Sequence, residues 1–116
     1  MNAALYLRIS TRAGKRDGDA ARQRKRQDVA NQRRQLREFC DAQGWRVIQE
    51  YIDEESGAKS DRAGFRRMWH DAAQRRFDVL LFWALDRFSP EGVLETLNYL
   101  HRLNSFGINR HSHTEQ

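Results

Sequence analysis

The chain has 116 residues, one cysteine, a formal net charge of +5 and a pI near 10. That length supports one domain with one core. The lone Cys40 excludes an intrachain disulfide and a cysteine-rich metal site, and the first apolar run is too short for a signal peptide or a membrane span, so the chain reads as cytoplasmic with no membrane partner. Of the 21 basic residues 18 are arginine, and only Lys15, Lys25 and Lys59 are lysine; planar guanidinium forks bind phosphate bidentately, which suits a polyanionic partner. A mean hydropathy of −0.93 requires the apolar residues to be concentrated in a few segments.

Residues 3–9 read as a first strand. The stretch Thr11–Gln27 carries Gly14, Gly18 and seven basic residues with almost nothing to bury, and reads as a basic loop. From Asp28, the spacing of Val29, Leu36 and Phe39/Cys40 predicts an amphipathic helix with Asp28 as N-cap and Gly44 as its stop, and Cys40 as a buried structural thiol. Trp45–Asp53 reads as strand two and residues 53–62 as a polar loop. Phe65, Met68, Trp69 and Ala72 then recur at i, i+3, i+4, i+7 and mark a second helix. Residues 79–85 are continuously apolar, as a central parallel strand covered on both faces requires. Ser89-Pro90-Glu91 reads as the start of a third helix with Val93, Leu94, Leu97, Leu100 and Leu103 on its buried face. A fourth strand begins at Gly107-Ile108.

This alternation predicts an α/β fold: a doubly wound, mostly parallel sheet of about four to five strands flanked by helices. Ligands of such sheets bind beyond the carboxyl ends of the strands. Side chains two apart on a strand share a face, so Tyr6, Arg8 and Ser10 point one way and Leu5, Leu7 and Ile9 the other. Asp86-Arg87 closes the third apolar run and Asp61-Arg62 follows strand two, so three segments converge on one edge. A serine hydroxyl beside guanidiniums suits attack on a phosphodiester, where fixed cations offset charge developing on the phosphate oxygens.

Four motifs occur in order: Tyr6-x-Arg8-x-Ser10, Asn31-Gln32-Arg33-Arg34-Gln35-Leu36, Ser56-Gly57 followed by Ser60-Asp61-Arg62, and Leu85-Asp86-Arg87-Phe88-Ser89. In this order, and over nearly the whole chain, they resemble the N-terminal catalytic domain of the resolvase/invertase family of serine site-specific recombinases. The resemblance implies cofactor-free, metal-free strand transfer on DNA, with Ser10 as nucleophile and a 5′-phosphoserine intermediate. It further implies Arg8, Arg87 and Arg62 as phosphate ligands, Gln32 and Asp86 as supporting polar residues, and Tyr6 as a hydrogen-bond donor beside them. One departure stands out: the family carries another arginine three residues beyond the Asp-Arg arginine, and here that place is Pro90, so Arg12 or another loop arginine substitutes or catalysis is impaired. Residues 1–116 are expected to be the catalytic domain alone, truncated before the family's dimerisation helix and C-terminal DNA-binding domain, with the full-length parent a dimer or tetramer.

Other readings are weaker. Gly14-Lys15-Arg16 lacks the Ser/Thr and the glycine spacing of a phosphate loop. His111 and His113 read as a solvated tail, His70 and His101 as surface residues. Asp53, Glu54, Glu55 and Asp86 supply the carboxylates of a rival metal-dependent nuclease. A catalytically impaired DNA-binding or dimerisation module of the same fold is the other alternative, and Pro90 favours it.

Overall fold

A computed structural model describes residues 1–10, 18–55 and 62–115. The elements in order are β1 (Asn2–Ser10), α1 (Gly18–Gln43), β2 (Arg46–Glu55), α2 (Ala63–Ala73), β3 (Val79–Phe82), α3 (Leu85–Phe88), α4 (Val93–Ser105) and β4 (Asn109–Ser112). The four strands form one parallel sheet in the order β2-β1-β3-β4. The expected doubly wound α/β architecture is therefore the observed one, with four strands.

Each face of the sheet carries its own core. Ala3, Leu5, Leu7 and Ile9 of β1, with Val79 and Leu81 of β3, pack against Val29, Leu36 and Cys40 of α1. Ala4 and Tyr6, with Leu80 and Phe82, face the opposite way onto Phe65, Met68 and Ala72 of α2 and Leu100 and Leu103 of α4. All four residues of β3 are buried, as a central parallel strand demands. β2 shifts register between Ala3 and Ala4 of its partner, where Val47 pairs with Ala3 and Gln49 with Ala4. The extra residue, Ile48, is a bulge that lets Val47 join the α1 core while Tyr51 and Asp53 turn to the α2 side.

Several boundaries differ from the sequence reading. α1 begins at Gly18, ten residues before Asp28, so residues 18–27 of the expected basic loop are helix, and residues 11–17, including Arg12, lie outside the described residues. Ala, Arg, Gln and Lys favour helix without needing a buried face, and a segment with nothing to bury gives no hydrophobic period to read. Asp28 is therefore inside the helix rather than at its cap, and its carboxylate accepts from Gln32 Nε2 at 2.9 Å. The stop at Gly44 holds: Gly44 N donates to Asp41 O and Trp45 N to Cys40 O, the paired closure of a helix end.

β3 stops at Phe82, not Leu85, and Asp86-Arg87 lie in the single turn of α3, whose end is closed by Ser89 N donating to Leu85 O. Ser89 and Pro90 thus precede α4 instead of opening it; the N-cap is Gly92, whose φ of 100° is unfavourable for any residue with a Cβ. The first turns of α4 lie over a groove of about 390 Å³ bordered by Leu85, Leu97 and Leu100. Val93, Leu94 and Leu97 are accordingly exposed at 78%, 71% and 57%, against the expectation that they are core, whereas Leu100 and Leu103 are buried. His111 and His113 are not a solvated tail: His111 lies in β4 stacked on Phe39 with ring centroids 4.0 Å apart, and the two histidine rings touch at 3.3 Å. No helix among the described residues is long and apolar enough to cross a membrane.

The split along α4 makes a direct test. Leu94→Ala and Leu97→Ala should each change unfolding free energy by less than about 0.5 kcal/mol, and Leu103→Ala should cost about 2–5 kcal/mol. Urea unfolding of the three variants checks this, and equal losses would place all three leucines in the core.

Candidate active site

β1 connects through α1 toward β2, and β3 connects through α3 and α4 toward β4, so the chain leaves neighbouring strands in opposite directions. The crevice where α/β sheets bind ligands therefore lies between the carboxyl ends of β1 and β3. Arg8, near the end of β1, reaches across it: Nη2 donates to Asp86 O at 2.8 Å and Nε to Arg87 O at 3.2 Å. Arg8 and Arg87 border a cavity of about 160 Å³ together with Ile9, Lys25, Asp28 and Val29. β1 ends at Ser10, two positions beyond Arg8. Gln32, one turn along α1 from Asp28, is 2% exposed and orients the Asp28 carboxylate.

A second cluster lies on the α2 side. Asp53, at the end of β2, is buried, and its carboxylate accepts from Tyr6 Oη at 2.7 Å, Gly64 N at 2.7 Å and Phe65 N at 2.9 Å. Two of these donors belong to the first turn of α2, whose own N-cap residue, Arg62, makes no side-chain cap. Asp53 thus caps α2 from another strand, and the helix dipole favours its charge. Burial, followed by the hydrogen bond to Asp53, pushes the Tyr6 phenol well above its ordinary range, so it remains a neutral donor.

Arg62 has a left-handed backbone, φ 50° and ψ 48°. Its guanidinium carbon sits 3.6 Å from the centre of the Phe65 ring, Nη2 donates to Phe88 O at 2.8 Å and Tyr6 Oη at 3.4 Å, and Nη1 pairs with Glu91 at 2.6 Å. A non-glycine residue held there costs on the order of 1–2 kcal/mol, which these contacts offset.

The expected residues therefore fall into two groups. Arg8, Arg87 and the carbonyl of Asp86 meet at the β1/β3 crevice with Gln32 behind them, while Tyr6 and Arg62 meet on the α2 side. Asp86 itself is exposed and borders the groove beside α4. Ser56-Gly57 and Ser60-Asp61 lie outside the described residues. Sequence reasoning missed Lys25 and Asp28 as lining residues, since one fell in the expected loop and the other was read as a cap, and it assigned Asp53 only to a rival metal site. Asp53 is instead occupied by three donors, and among the described residues no three His, Cys, Asp or Glu side chains gather as a metal would require.

The sequence profile described as "Resolvase, N terminal domain" matches residues 3–116. The chain belongs to the resolvase family. Its fold is shared by the N-terminal catalytic domain of TP901-1 integrase, at 28% identity and a TM-score of 0.75 over 99% of this chain and 78% of that one. A resolvase family site-specific recombinase from Streptococcus pneumoniae superposes with a TM-score of 0.78 at 22% identity, covering 97% and 71% of the two chains. The catalytic domain of ISC1926 TnpA, an IS607-like serine recombinase, gives 0.74 at 22% identity over 97% and 67%. A comparison with curated protein sequences finds no match.

Two predictions test the Asp53 cluster of this resolvase domain. A Cβ at Gly64 would lie 2.8 Å from Asp53 Oδ1. Gly64→Ala should therefore destabilise by roughly 1–3 kcal/mol, although the same change in an open helix stabilises by about 1 kcal/mol; an unchanged or raised melting temperature would refute the close approach. The second concerns alkaline stability. Tyr51, donating to Asp71 at 2.5 Å, is raised by burial and then by that bond, as Tyr6 is. Both phenols gain from folding while neutral, so their contribution is complete below the unfolded value of about 10 and is lost as pH rises beyond it. Urea midpoints should fall above pH 10, and more gently in Tyr6→Phe and Tyr51→Phe; parallel slopes would contradict this.

Proposed function

We propose that this domain performs site-specific strand exchange on DNA by serine attack. Ser10 Oγ displaces the 3′ oxygen of a phosphodiester, giving a 5′-phosphoserine link and a free 3′-hydroxyl; the serine proton leaves as the bond forms, and the 3′ oxygen takes up a proton. The reverse attack by another 3′-hydroxyl rejoins the strands. Arg8, Arg87 and Lys25 hold the phosphate and offset the second negative charge that develops, so that no metal or other cofactor is called on. Gln32 fixes Asp28 and Asp86 fixes Arg8, while Tyr6 and Arg62 support the edge from the α2 side. The observation that carries this reading is the convergence of Arg8 from β1 and Arg87 from α3 on one cavity at the sheet's switch point, two residues before Ser10. In the whole protein the domain works as a dimer or tetramer, since rejoining needs more than one cleaved strand.

The test uses a full-length protein carrying this domain and duplex DNA. Covalent adducts trapped by denaturation should form, persist in EDTA and vanish in Ser10→Ala. Adducts that survive Ser10→Ala, or that EDTA removes, would sink the proposal in favour of a metal nuclease. Binding of the isolated domain should be sequence-independent and steeply salt-dependent, and Arg8→Ala or Arg87→Ala should each lower the salt slope by about 1.

A further inference from the structure

Arg62 already holds an anion belonging to the protein. Glu91 Oε1 lies 2.6 Å from Nη1, and Oε2 accepts from Ser89 Oγ at 2.7 Å, so both carboxylate oxygens are engaged. The Tyr99 phenol is raised by burial and then by the charge of Glu91 and a hydrogen bond to it, which puts a third group at the same carboxylate. The remaining contacts of Arg62 face inward, to Phe88 O, Tyr6 Oη and the Phe65 ring. Its Nε–H is buried with no partner. The Arg62 side chain is 13% exposed and that of Glu91 is 37% exposed, so Glu91 covers the outward end of the guanidinium.

Glu91 also stands outside both neighbouring helices. Ser89–Gly92 is the link between α3 and α4, Pro90 is exposed, and the segment ends at Gly92. A rotamer change at Glu91 breaks no helix hydrogen bond. Two oxygens on one carbon, one held by a single guanidinium nitrogen and the other by a serine hydroxyl, present what two phosphate oxygens would present. The same link carries Pro90 where the family resemblance implies an arginine.

We infer that Glu91 is a positioning residue that stands in for the DNA phosphate: it holds Arg62 in place while the site is empty and gives up Nη1 when a phosphate arrives. This rests on the phosphodiester reading above. DNA must displace the carboxylate, so the pair lowers affinity and makes Arg62 available only on binding. If Arg62 were purely a structural pin, Glu91 would never leave and its charge would not bear on binding.

The experiment measures binding of a 20-base-pair duplex and of inorganic phosphate to Glu91→Gln, to Glu91→Asp and to a charge control, Glu95→Gln, which removes an equal charge from the first turn of α4. Glu91→Gln should bind both probes roughly three- to tenfold more tightly, beyond the effect expected for a fully exposed pair. Glu91→Asp, which keeps the charge, should stay near the parent, and Glu95→Gln should change affinity less than twofold. In the unaltered protein the side-chain Nε–H nuclear magnetic resonance signal of Arg62, assigned by its loss in Arg62→Lys, should move on titration with phosphate; this arm stands even if Glu91→Gln does not fold. Equal gains in Glu91→Gln and Glu95→Gln, no gain in Glu91→Gln, or a stationary Arg62 signal would overturn the inference. If Arg8→Ala and Arg87→Ala still weaken binding in that case, the phosphodiester reading survives; if they too have no effect, both fall together.

Discussion

Asp53 brings a charge into the interior at the carboxyl end of β2, where an unpartnered carboxylate would be severely destabilising. Three donors meet it: the Tyr6 phenol of β1 and the backbone N–H groups of Gly64 and Phe65. The interaction therefore joins two strands and the start of a helix, and the rest of the edge follows. With α2 anchored, Arg62 takes up the left-handed turn before it, stacks on Phe65 and reaches Phe88 O of α3. Because α3 is held from that side by Arg62 and from the other by Arg8, the turn carrying Asp86 and Arg87 is clamped between two guanidiniums. Each of the three donors around Asp53 itself is thereby used, although the Nε–H of Arg62 in the same network stays buried without a partner. The close approach at Gly64, where no side chain fits, shows how tightly the carboxylate is enclosed.

The sequence made the sheet legible because burial on both faces of β3 and alternation in β1 leave different, readable patterns, and α2 showed its face in Phe65, Met68 and Ala72. What escaped it has physical causes. The first ten residues of α1 include no large apolar residue, so their helicity rests on propensity, to which hydrophobic periodicity is blind. Residues 83–85 are as apolar as the strand before them, yet their backbone turns, since α3 is held by partners distant in sequence. At α4, Ser89-Pro90-Glu91 matches a helix-start signature, but the chain spends those residues closing α3 and covering Arg62. The leucine stripe told which side of α4 is apolar, not how far the sheet extends beneath it.

For the site, Arg8 and Arg87 were readable because each ends an apolar run at the edge where parallel sheets bind ligands. Gln32 was legible through the family motif alone, and its burial against Asp28 supplies the physical reason for an amide there. Lys25 and Asp28 depended on the extended α1, which brings its second turn and the one after it to the cavity. Asp53 was visible as a carboxylate but not as a cap, since its partners are 11 and 12 residues away in backbone and 47 away in side chain.

The manner in which the arginines are held bears on what they can do. Two hydrogen bonds of Arg8 go to main-chain carbonyls, neutral dipoles that orient a guanidinium without bringing a charge of their own. Arg62 is anchored partly by a carboxylate, which does bring one. Among the described residues that border the β1/β3 cavity, Arg8, Arg87 and Lys25 are basic and Asp28 is acidic. In the strand exchange proposed above, a phosphodiester would enter with one negative charge and approach two as the attacking serine loses its proton. On that reading, basic groups gathered where the second charge develops would favour the transition state over the arriving phosphate, which is the condition under which electrostatic preorganisation accelerates a step instead of merely tightening binding.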